Sequence, residues 1–332
     1  MSANTLSLAE AEALVAGALE RCRTSPANAA LVARALVAAE ADGLRGHGFS
    51  RVASYSAQAR AGKIDGFAEP AVTHVSPALA RIDARHGFAY PALAAAEATL
   101  AEAAPIMGIA CAAITRSHHC GVAGHPVERL ADRGLVALLF ANTPAAMAPW
   151  GGRTGVFGTN PIAFACPLPD EAPIVVDLSL SKVARGNILA ARQKGEAIPE
   201  GWALDRDGRP TTDAAAALAG TMLPLGDAKG TALALMVELL AAGLTGANYA
   251  ADASSFLDDR GAPPGTGQLL IALDPAMIGG KGALQHFRRL AEQIRSQEGA
   301  RLPGARRIAL RAKAKAEGLA IAPALRAEIE AL

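Results

Sequence analysis

RSHHCGVAGHPVERLADRGLVALLFANTPAAMAPWGGRTGVFGTNP, residues 116–161, holds three of the seven histidines, two strand-like apolar runs and a dense set of glycines. Gly151-Gly152, Gly155 and Gly158, with Asp177 about 20 residues later, invite comparison with a dinucleotide fingerprint. That motif needs a strand before the glycines and a helix opening on them. Here Thr159-Asn160-Pro161 leads into another β-type run instead. A Rossmann unit is therefore disfavoured. The glycines are then either structural turns or bare backbone that lets a large, partly charged ligand approach closely.

His118, His119, Cys120 and His125 in the same stretch resemble a metal cluster. Zinc needs three or four ligands at defined spacing, and adjacent residues of an extended segment point to opposite faces. No Cys-x-x-Cys or His-Glu-x-x-His accompanies them, so no metal is expected. One imidazole and the Gly121-Val122-Ala123 backbone are read as ligand contacts, the other histidine as structural.

Outward from this stretch the pattern changes character. Ile109 to Thr115, Leu135 to Asn142, Ile162 to Cys166 and Ile174 to Leu178 are short runs rich in Val, Ile, Phe and Ala, bounded by turn formers, and predict strands. Leu269 to Leu273 is a last strand candidate, and Val127 to Arg133 predicts the intervening helix. AVTHV and ALARIDA, between Pro70 and Ala84, are extended pieces, and Tyr90 to Ala104 is alanine-rich helix. Residues 195–213, GEAIPEGWALDRDGRPTTD, read as a surface excursion with a DG turn.

Both chain ends are helical. Ser7 and Glu10 have capping-box spacing, Ser25-Pro26 is a second start signal, and Phe49 to Arg60 is a third helix ending at Gly62. From Pro275 onward the pattern is helical again, with a turn at Arg301-Leu302-Pro303-Gly304. The expected architecture is a helical domain of residues 1–70 plus 276–332 around a mixed α/β domain of residues 71–275. Its two ends have to meet in space.

At 332 residues and 51% hydrophobic, the chain buries a sizeable core. Its 32 basic residues against 31 acidic leave a formal charge of +1, with no global field for nucleic acid or an anionic membrane surface. Cys22, Cys111, Cys120 and Cys166 form no CxxC pair, which suits a reduced cytoplasmic protein without disulfides. The N-terminus has no secretory pattern. Thr231 to Thr245 is too short for a membrane span, carries Glu238, and is read as a buried soluble helix.

His47 and Arg51 are the pair of most chemical interest. If a helix starts at Gly46 or His47, their i, i+4 spacing puts imidazole and guanidinium on one face. Arginine there holds a carboxylate bidentately while histidine exchanges a proton beside it. The bland reading is a capping histidine and a surface arginine. Asp177, Lys182, Arg185 and Lys229 lie at strand or helix edges, as sites or as solvated charges. Arg301, Arg306 and Arg307 face an anionic group such as a phosphate or form a basic helix start.

GHGFSR, SHHCGVAGH, APWGG, FGTNPIAFACP, VDLSLSKVARG, IPEGWALD, PLGDAKGTALALMVELL and RLPGARR occur in this order along the chain. In this collinear set the chain resembles the malate/L-lactate dehydrogenase family of type 2, NAD(P)-dependent oxidoreductases with a non-Rossmann, mixed/antiparallel-sheet fold. ADGLRGHGFSRVASY and DLSLSKVARG look most like the reductases of Δ1-piperideine-2-carboxylate and Δ1-pyrroline-2-carboxylate within it.

The resemblance puts the proton donor on His47, the carboxylate-binding arginine on Arg51 and a substrate-contacting threonine on Thr159. It puts cofactor contacts on His119, Cys120, Gly121, Val122 and Ala123, on Asp177, Leu178 and Ser179, on Ala228 and Lys229, and on Arg301, Arg306 and Arg307. A family relay of serine and aspartate falls on Gly46 and on Asn187, the latter counted with His47 as catalytic. A neutral asparagine orients an imidazole but does not stabilise its cation as a carboxylate does.

The resemblance implies reduction of a small cyclic imine carboxylate to proline or pipecolate by NADPH, with NADH the alternative, in a cytoplasmic homodimer without nucleic-acid or membrane partners. The alternatives are a dehydrogenase of 2-hydroxy acids such as malate, lactate or ureidoglycolate, and a nucleotide-binding protein that has lost its chemistry.

Overall fold

The computed structural model describes residues 4–332. Ser7 caps α1 (Leu8–Arg21): its hydroxyl accepts from Glu10 N at 3.2 Å while Glu10 Oε2 accepts from Ser7 N at 2.8 Å, the reciprocal pair expected from the spacing. Ser25 caps α2 (Pro26–Ala41), which ends at Asp42.

The third helix is shorter than expected. α3 spans Val52–Ala61, and two separate 3-10 turns, Arg45–His47 and Phe49–Arg51, precede it. Between them Gly48 is extended (φ −100°, ψ −134°), and Phe49 N donates to Glu40 Oε2 at 3.1 Å. Glu40 lies against Gly48 where a side chain would otherwise go. His47 and Arg51 are therefore not on one helical face, and the i, i+4 argument that paired them is corrected.

Seven strands form the main sheet: β1 (Ala71–Ser76), β2 (Leu79–Asp83), β3 (Ile109–Ser117), β4 (Val136–Ala141), β5 (Ile162–Leu168), β6 (Glu171–Leu178) and β7 (Thr266–Leu273). Their order is β1-β2-β3-β7-β4-β5-β6. Only β2 and β3 run parallel; every other neighbouring pair is antiparallel. The sheet is mixed and not doubly wound, as the missing helix after the 151–158 glycines implied. Strand alternation sends Leu139 and Leu270 to one face and Phe140 and Leu269 to the other, each into its own apolar cluster.

The first face packs on α4 (Ala89–Met107), through Leu93 and Leu100, and on α5 (Gly124–Ala131). α5 begins three residues before the expected Val127, so Gly121-Val122-Ala123 runs directly into a helix N-terminus. The second face packs on α6 (Arg185–Lys194), α7 (Ala214–Ala219) and α8 (Ala228–Glu238). A π-type turn, Leu239–Gly243, continues α8. Ala234, Val237 and Ala241 are buried, yet Leu233, Leu235, Leu239 and Leu244 are 41%, 47%, 51% and 68% exposed. The wholly buried helix expected at 231–245 is thus buried on one side only, and a row of leucines faces outward. In the surface excursion, Ala203–Leu204 and Pro210–Thr211 pair around the expected DG turn.

The chain ends meet. Thr5 pairs with Ala320 and Leu6 with Leu319, and Ile321 and Ile329 join Val15, Leu19, Leu36 and Tyr55 in one core. α9 (Pro275–Gly279) and α10 (Ala283–Arg295) precede this: Ala291 of α10 packs with Leu168 and Leu302. A helical unit drawn by packing takes α11 (Ala305–Glu317) and α12 (Pro323–Ala331) from the C-terminal end, while α10 stays with the sheet. Among the described residues no helix is long and apolar enough to cross a membrane.

The register has one consequence for the site. Ser117 pairs with Thr266, Leu269 with Phe140, Phe140 with Ile162 and Ile162 with Leu178. Residues 118–123, 143, 159 and 177–179 consequently leave the sheet at the same end.

Candidate active site

Beyond β3 the two adjacent histidines are held apart by different partners. His119 Nδ1 lies 2.6 Å from the Tyr55 hydroxyl, which is 3.2 Å from the Tyr90 hydroxyl; His118 Nε2 lies 2.9 Å from Gln58 Oε1. Phe256 packs against both rings, at 4.8 Å from His118 and 5.3 Å from His119. The rings therefore do not point to opposite faces as an extended segment would send them, because the chain leaves the strand at His118. Burial pushes His118 down to about 3 and His119 well below the ordinary histidine value, aided by the charge of Arg51, so both are neutral. Among the described residues no group of three His, Cys, Asp or Glu side chains is placed to hold a metal ion.

His47 stacks on His119, with ring centroids 5.2 Å apart and planes 16° from parallel. Loss of solvent pushes His47 down to about 4, and the positive charge of Arg51 adds to the effect. Its Nδ1 is buried without a hydrogen-bond partner. Arg51 is steered by its own turn: Nε donates to Gly46 O at 2.7 Å. The upstream turn thus sets His47 and Arg51 over the residues that follow β3, although helical spacing is not the reason.

The relay positions behave differently. Gly46 is exposed, and no atom lies within 4 Å of where its Cβ would stand. Asn187 is exposed on α6, and among the described residues no hydrogen bond joins it to His47. The orienting contact expected of Asn187 is not made within this chain.

Three of the expected cofactor segments converge on α5. Gly124 N donates to Asp177 Oδ2 at 2.7 Å, and a Cβ on Gly124 would stand 2.9 Å from Arg307 Nη1 and 3.0 Å from Asp177 Oδ2. Gly121 takes φ +69°, and a side chain there would strike the Tyr90 hydroxyl at 2.6 Å. Gly121 is required by its left-handed backbone and the close approach of Tyr90, while a side chain at Gly124 would displace Arg307. The result is bare backbone at a helix N-terminus whose first N–H is taken by the Asp177 carboxylate. Burial raises the Asp177 carboxyl against the Gly124 N–H and Arg307, which hold it down. Burial also pushes the Cys120 thiol up to about 12, leaving it unreactive.

The remaining segments join through the backbone. Leu180 N donates to Thr159 O and Leu225 N to Leu180 O, each at 2.8 Å. This ties Thr159 to Leu178-Ser179 and to the loop that opens α8 at Ala228-Lys229.

Arg307 does not do what the sequence suggested. It is buried and paired, with Nε 3.3 Å from Asp42 Oδ2 and Nη2 3.2 Å from Glu128 Oε2. Arg311 reaches the same two carboxylates at 2.8 Å each, and His125 Nε2 lies 2.9 Å from Asp42 Oδ2. Burial alone would raise the Asp42 carboxyl; the hydrogen bonds of Arg311 and His125 bring it below its ordinary value. Arg301 and Arg306 are exposed and line a cavity of about 490 Å³ with Asp42, Gly43, Leu44, Pro303 and Gly304. Sequence reasoning passed over Asp42, Glu128 and Arg311, which look like ordinary helix surface charges. The available signal was the i, i+4 spacing of Arg307 and Arg311 on α11.

The family model described as malate/L-lactate dehydrogenase matches residues 6–330. The chain is 52% identical over 326 residues to a (2R)-3-sulfolactate dehydrogenase (NADP(+)) of Chromohalobacter salexigens, covering 98% of this chain and 97% of that one. It is 40% identical over 331 residues to a Δ1-pyrroline-2-carboxylate reductase of Ancylobacter novellus, covering 98% and 97%. The crystal structure of Δ1-piperideine-2-carboxylate reductase from Pseudomonas syringae superposes with a TM-score of 0.93 at 41% identity, covering 98% of this chain and 99% of that one. With the family model matching nearly the whole chain and relatives at 40–52% identity over almost their full length, the chain belongs to the malate/L-lactate dehydrogenase family and is an NAD(P)H-dependent oxidoreductase.

Proposed function

We propose that the chain exchanges a hydride at C2 of a small 2-hydroxy acid carrying a second anionic group, of the 3-sulfolactate type, with NADP(H). The observation that carries this reading is the charge around His47. Arg51, on the turn beside His47, bears the charge that acts on it most strongly, and the buried Asp42 carboxylate is taken up by Arg307, Arg311 and His125. The resemblance expects aspartate where Asn187 stands. A cyclic imine carboxylate protonated on nitrogen is a zwitterion and gains from a nearby carboxylate. A dianion gains from its absence. The 52% relative named for (2R)-3-sulfolactate supports the same order.

In the forward direction the C2 hydroxyl loses its proton and C2 its hydride, giving the 2-oxo acid, NADPH and a proton. The nicotinamide accepts the hydride when bound. Arg51 holds the substrate carboxylate, Thr159 orients it by its hydroxyl, and His47, neutral at pH 7, takes the hydroxyl proton. In reduction the bound dianion offsets Arg51 and raises His47 towards protonation, so that it returns the proton to the C2 oxygen. His119 through Ala123, Asp177 through Ser179, Ala228 and Lys229 would hold the cofactor. Exposed Arg301 and Arg306 suit a 2′-phosphate better than buried Arg307 does. The outward leucines of α8 suit burial against a second copy in a homodimer.

A second reading keeps the cyclic imine carboxylate, supported by the relatives near 40% identity. NADPH oxidation by the purified protein with 3-sulfopyruvate, pyruvate, oxaloacetate, Δ1-pyrroline-2-carboxylate and Δ1-piperideine-2-carboxylate separates them. The first reading expects 3-sulfopyruvate to lead in kcat/KM. Faster turnover of either imine overturns it, and NADPH binding without any turnover favours the binding-protein alternative.

A further inference from the structure

We infer that Glu238, buried at the end of α8 between Asn142 and Asn160, is a positioning residue that sets the substrate-side Thr159 from inside the protein. The inference rests on the reading of Thr159 as a substrate contact.

Glu238 is 4% exposed and accepts from three donors, none of them charged. Oε2 accepts from Asn160 Nδ2 at 2.7 Å; Oε1 accepts from Ala250 N at 2.6 Å and Asn142 Nδ2 at 3.2 Å. Asn160 directly follows Thr159 and has φ +40°, a backbone state that side chains hold only when their surroundings fix it. Here the fixing comes from Glu238 and from Ala234 O, to which Asn160 Nδ2 also donates at 3.1 Å. Asn142 directly precedes Thr143, whose hydroxyl accepts from Thr159 N at 2.9 Å. Asn142 is itself anchored, its Oδ1 accepting from Gly267 N at 2.9 Å.

One carboxylate therefore grips the residue after Thr159 and the residue before its hydrogen-bond partner. Thr159 O in turn accepts from Leu180 N at 2.8 Å, next to Ser179. The helix that carries Glu238 opens on Ala228-Lys229, so cofactor-side and substrate-side segments share one rigid support. A carboxylate serving stability alone has no reason to couple to Thr159 in particular, and that coupling is what the test reads.

Glu238→Gln keeps the shape and loses the anionic acceptor facing Asn160. The expected result is cooperative unfolding and NADPH affinity within about 3-fold of the parent, with KM for the oxidised substrate raised about 10-fold. In a Thr159→Ala background the same change adds less than about 2-fold. Amide exchange at Thr159 and Leu180 becomes about 10-fold faster, a readout that needs no turnover. Unchanged KM and unchanged exchange overturn the inference, as does the full 10-fold effect on top of Thr159→Ala. Should Glu238→Gln not fold, Asn160→Gly removes the same grip while tolerating the positive φ, and the same coupling is expected. A parent protein inactive on 3-sulfopyruvate but active on an imine sinks the substrate reading alone, and the cycle is then run on the imine. If it turns over neither, amide exchange decides.

Discussion

The imidazoles of His47 and His119 lie stacked, 5.2 Å apart and nearly parallel, although 71 positions separate them in sequence. His119 is itself fixed by the Tyr55 hydroxyl at 2.6 Å, inside a buried pair of tyrosines. Burial pushes the Tyr55 phenol up to about 12, so it stays protonated, and its hydrogen bond with Nδ1 fixes which ring nitrogen of His119 carries the proton. Tyr55→Phe keeps the ring packing and removes this hydrogen bond. Its kcat/KM is expected to fall about 10-fold, the scale of one buried hydrogen bond, with the fold intact by circular dichroism. An unchanged kcat/KM means that the His119 tautomer does not matter to the reaction.

His47→Ala should lower kcat by about 10²–10⁴ in both directions, as loss of a general acid–base does. Arg51→Met should act chiefly on KM, because it removes a carboxylate contact made equally in the ground and transition states. Steady-state kinetics of the two variants distinguish the roles. If Arg51→Met instead lowers kcat at unchanged KM, the anchoring assignment is wrong.

Acid should destabilise the fold through its buried histidines. His118 is neutral in the fold with its value pushed down to about 3, while in the unfolded chain it titrates near 6.5. As pH falls below about 6.5 the unfolded state binds the proton first. Stability is then lost at about 1.4 kcal/mol per pH unit per histidine until the folded value is reached. His118→Asn is expected to flatten the urea-midpoint profile between pH 6 and 4.5 by that single-proton slope. An unaltered slope means that His118 is already charged in the fold.

What was legible in the sequence was whatever depends on local chemistry. Ser7, Glu10, Ser25 and Gly62 mark their helix ends because capping uses neighbours a few residues away. The absence of a helix after Pro161 excludes a Rossmann unit for the same reason. The convergence of the site residues depends instead on strand order, and no local pattern encodes that β7 inserts between β3 and β4. The His47–Arg51 pairing was reached through a helix that Gly48 and Glu40 break. Arg307 was read as free because its partners, Asp42 and Glu128, lie on two other helices. The outward leucines of α8 are indistinguishable from core in a sequence that is apolar all round.

The Asp42 cluster latches α11 to the N-terminal helices. Asp42 is fully buried at its carboxylate and faces Arg307, Arg311 and His125. Asp42→Ala strands Arg307 and Arg311 and is expected to cost about 3–5 kcal/mol in chemical denaturation. Exposed Arg306 should behave oppositely: Arg306→Ala should leave stability within about 0.5 kcal/mol. It should weaken NADPH more than NADH, measured by nucleotide fluorescence titration. Equal loss for both nucleotides removes Arg306 from 2′-phosphate recognition.

Gly46 and Asn187 stand where the resemblance expects a serine and an aspartate. Gly46 has open space around the site of a Cβ, so Gly46→Ser meets no clash, and exposed Asn187 accepts aspartate without a buried charge. The double variant Gly46→Ser/Asn187→Asp puts a hydroxyl and a carboxylate where the resemblance expects them. If the positive surroundings of His47 select a dianion, the added negative charge should weaken 3-sulfopyruvate through KM and favour a protonated cyclic imine. A single charge acting near a protein surface is worth about 1–4 kcal/mol at contact distance. A shift of about 10-fold or more in the ratio of the two kcat/KM values is therefore expected, shrinking as salt is raised. If the ratio stays constant while both activities change together, the relay tunes His47 alone. Substrate choice would then rest on shape rather than charge.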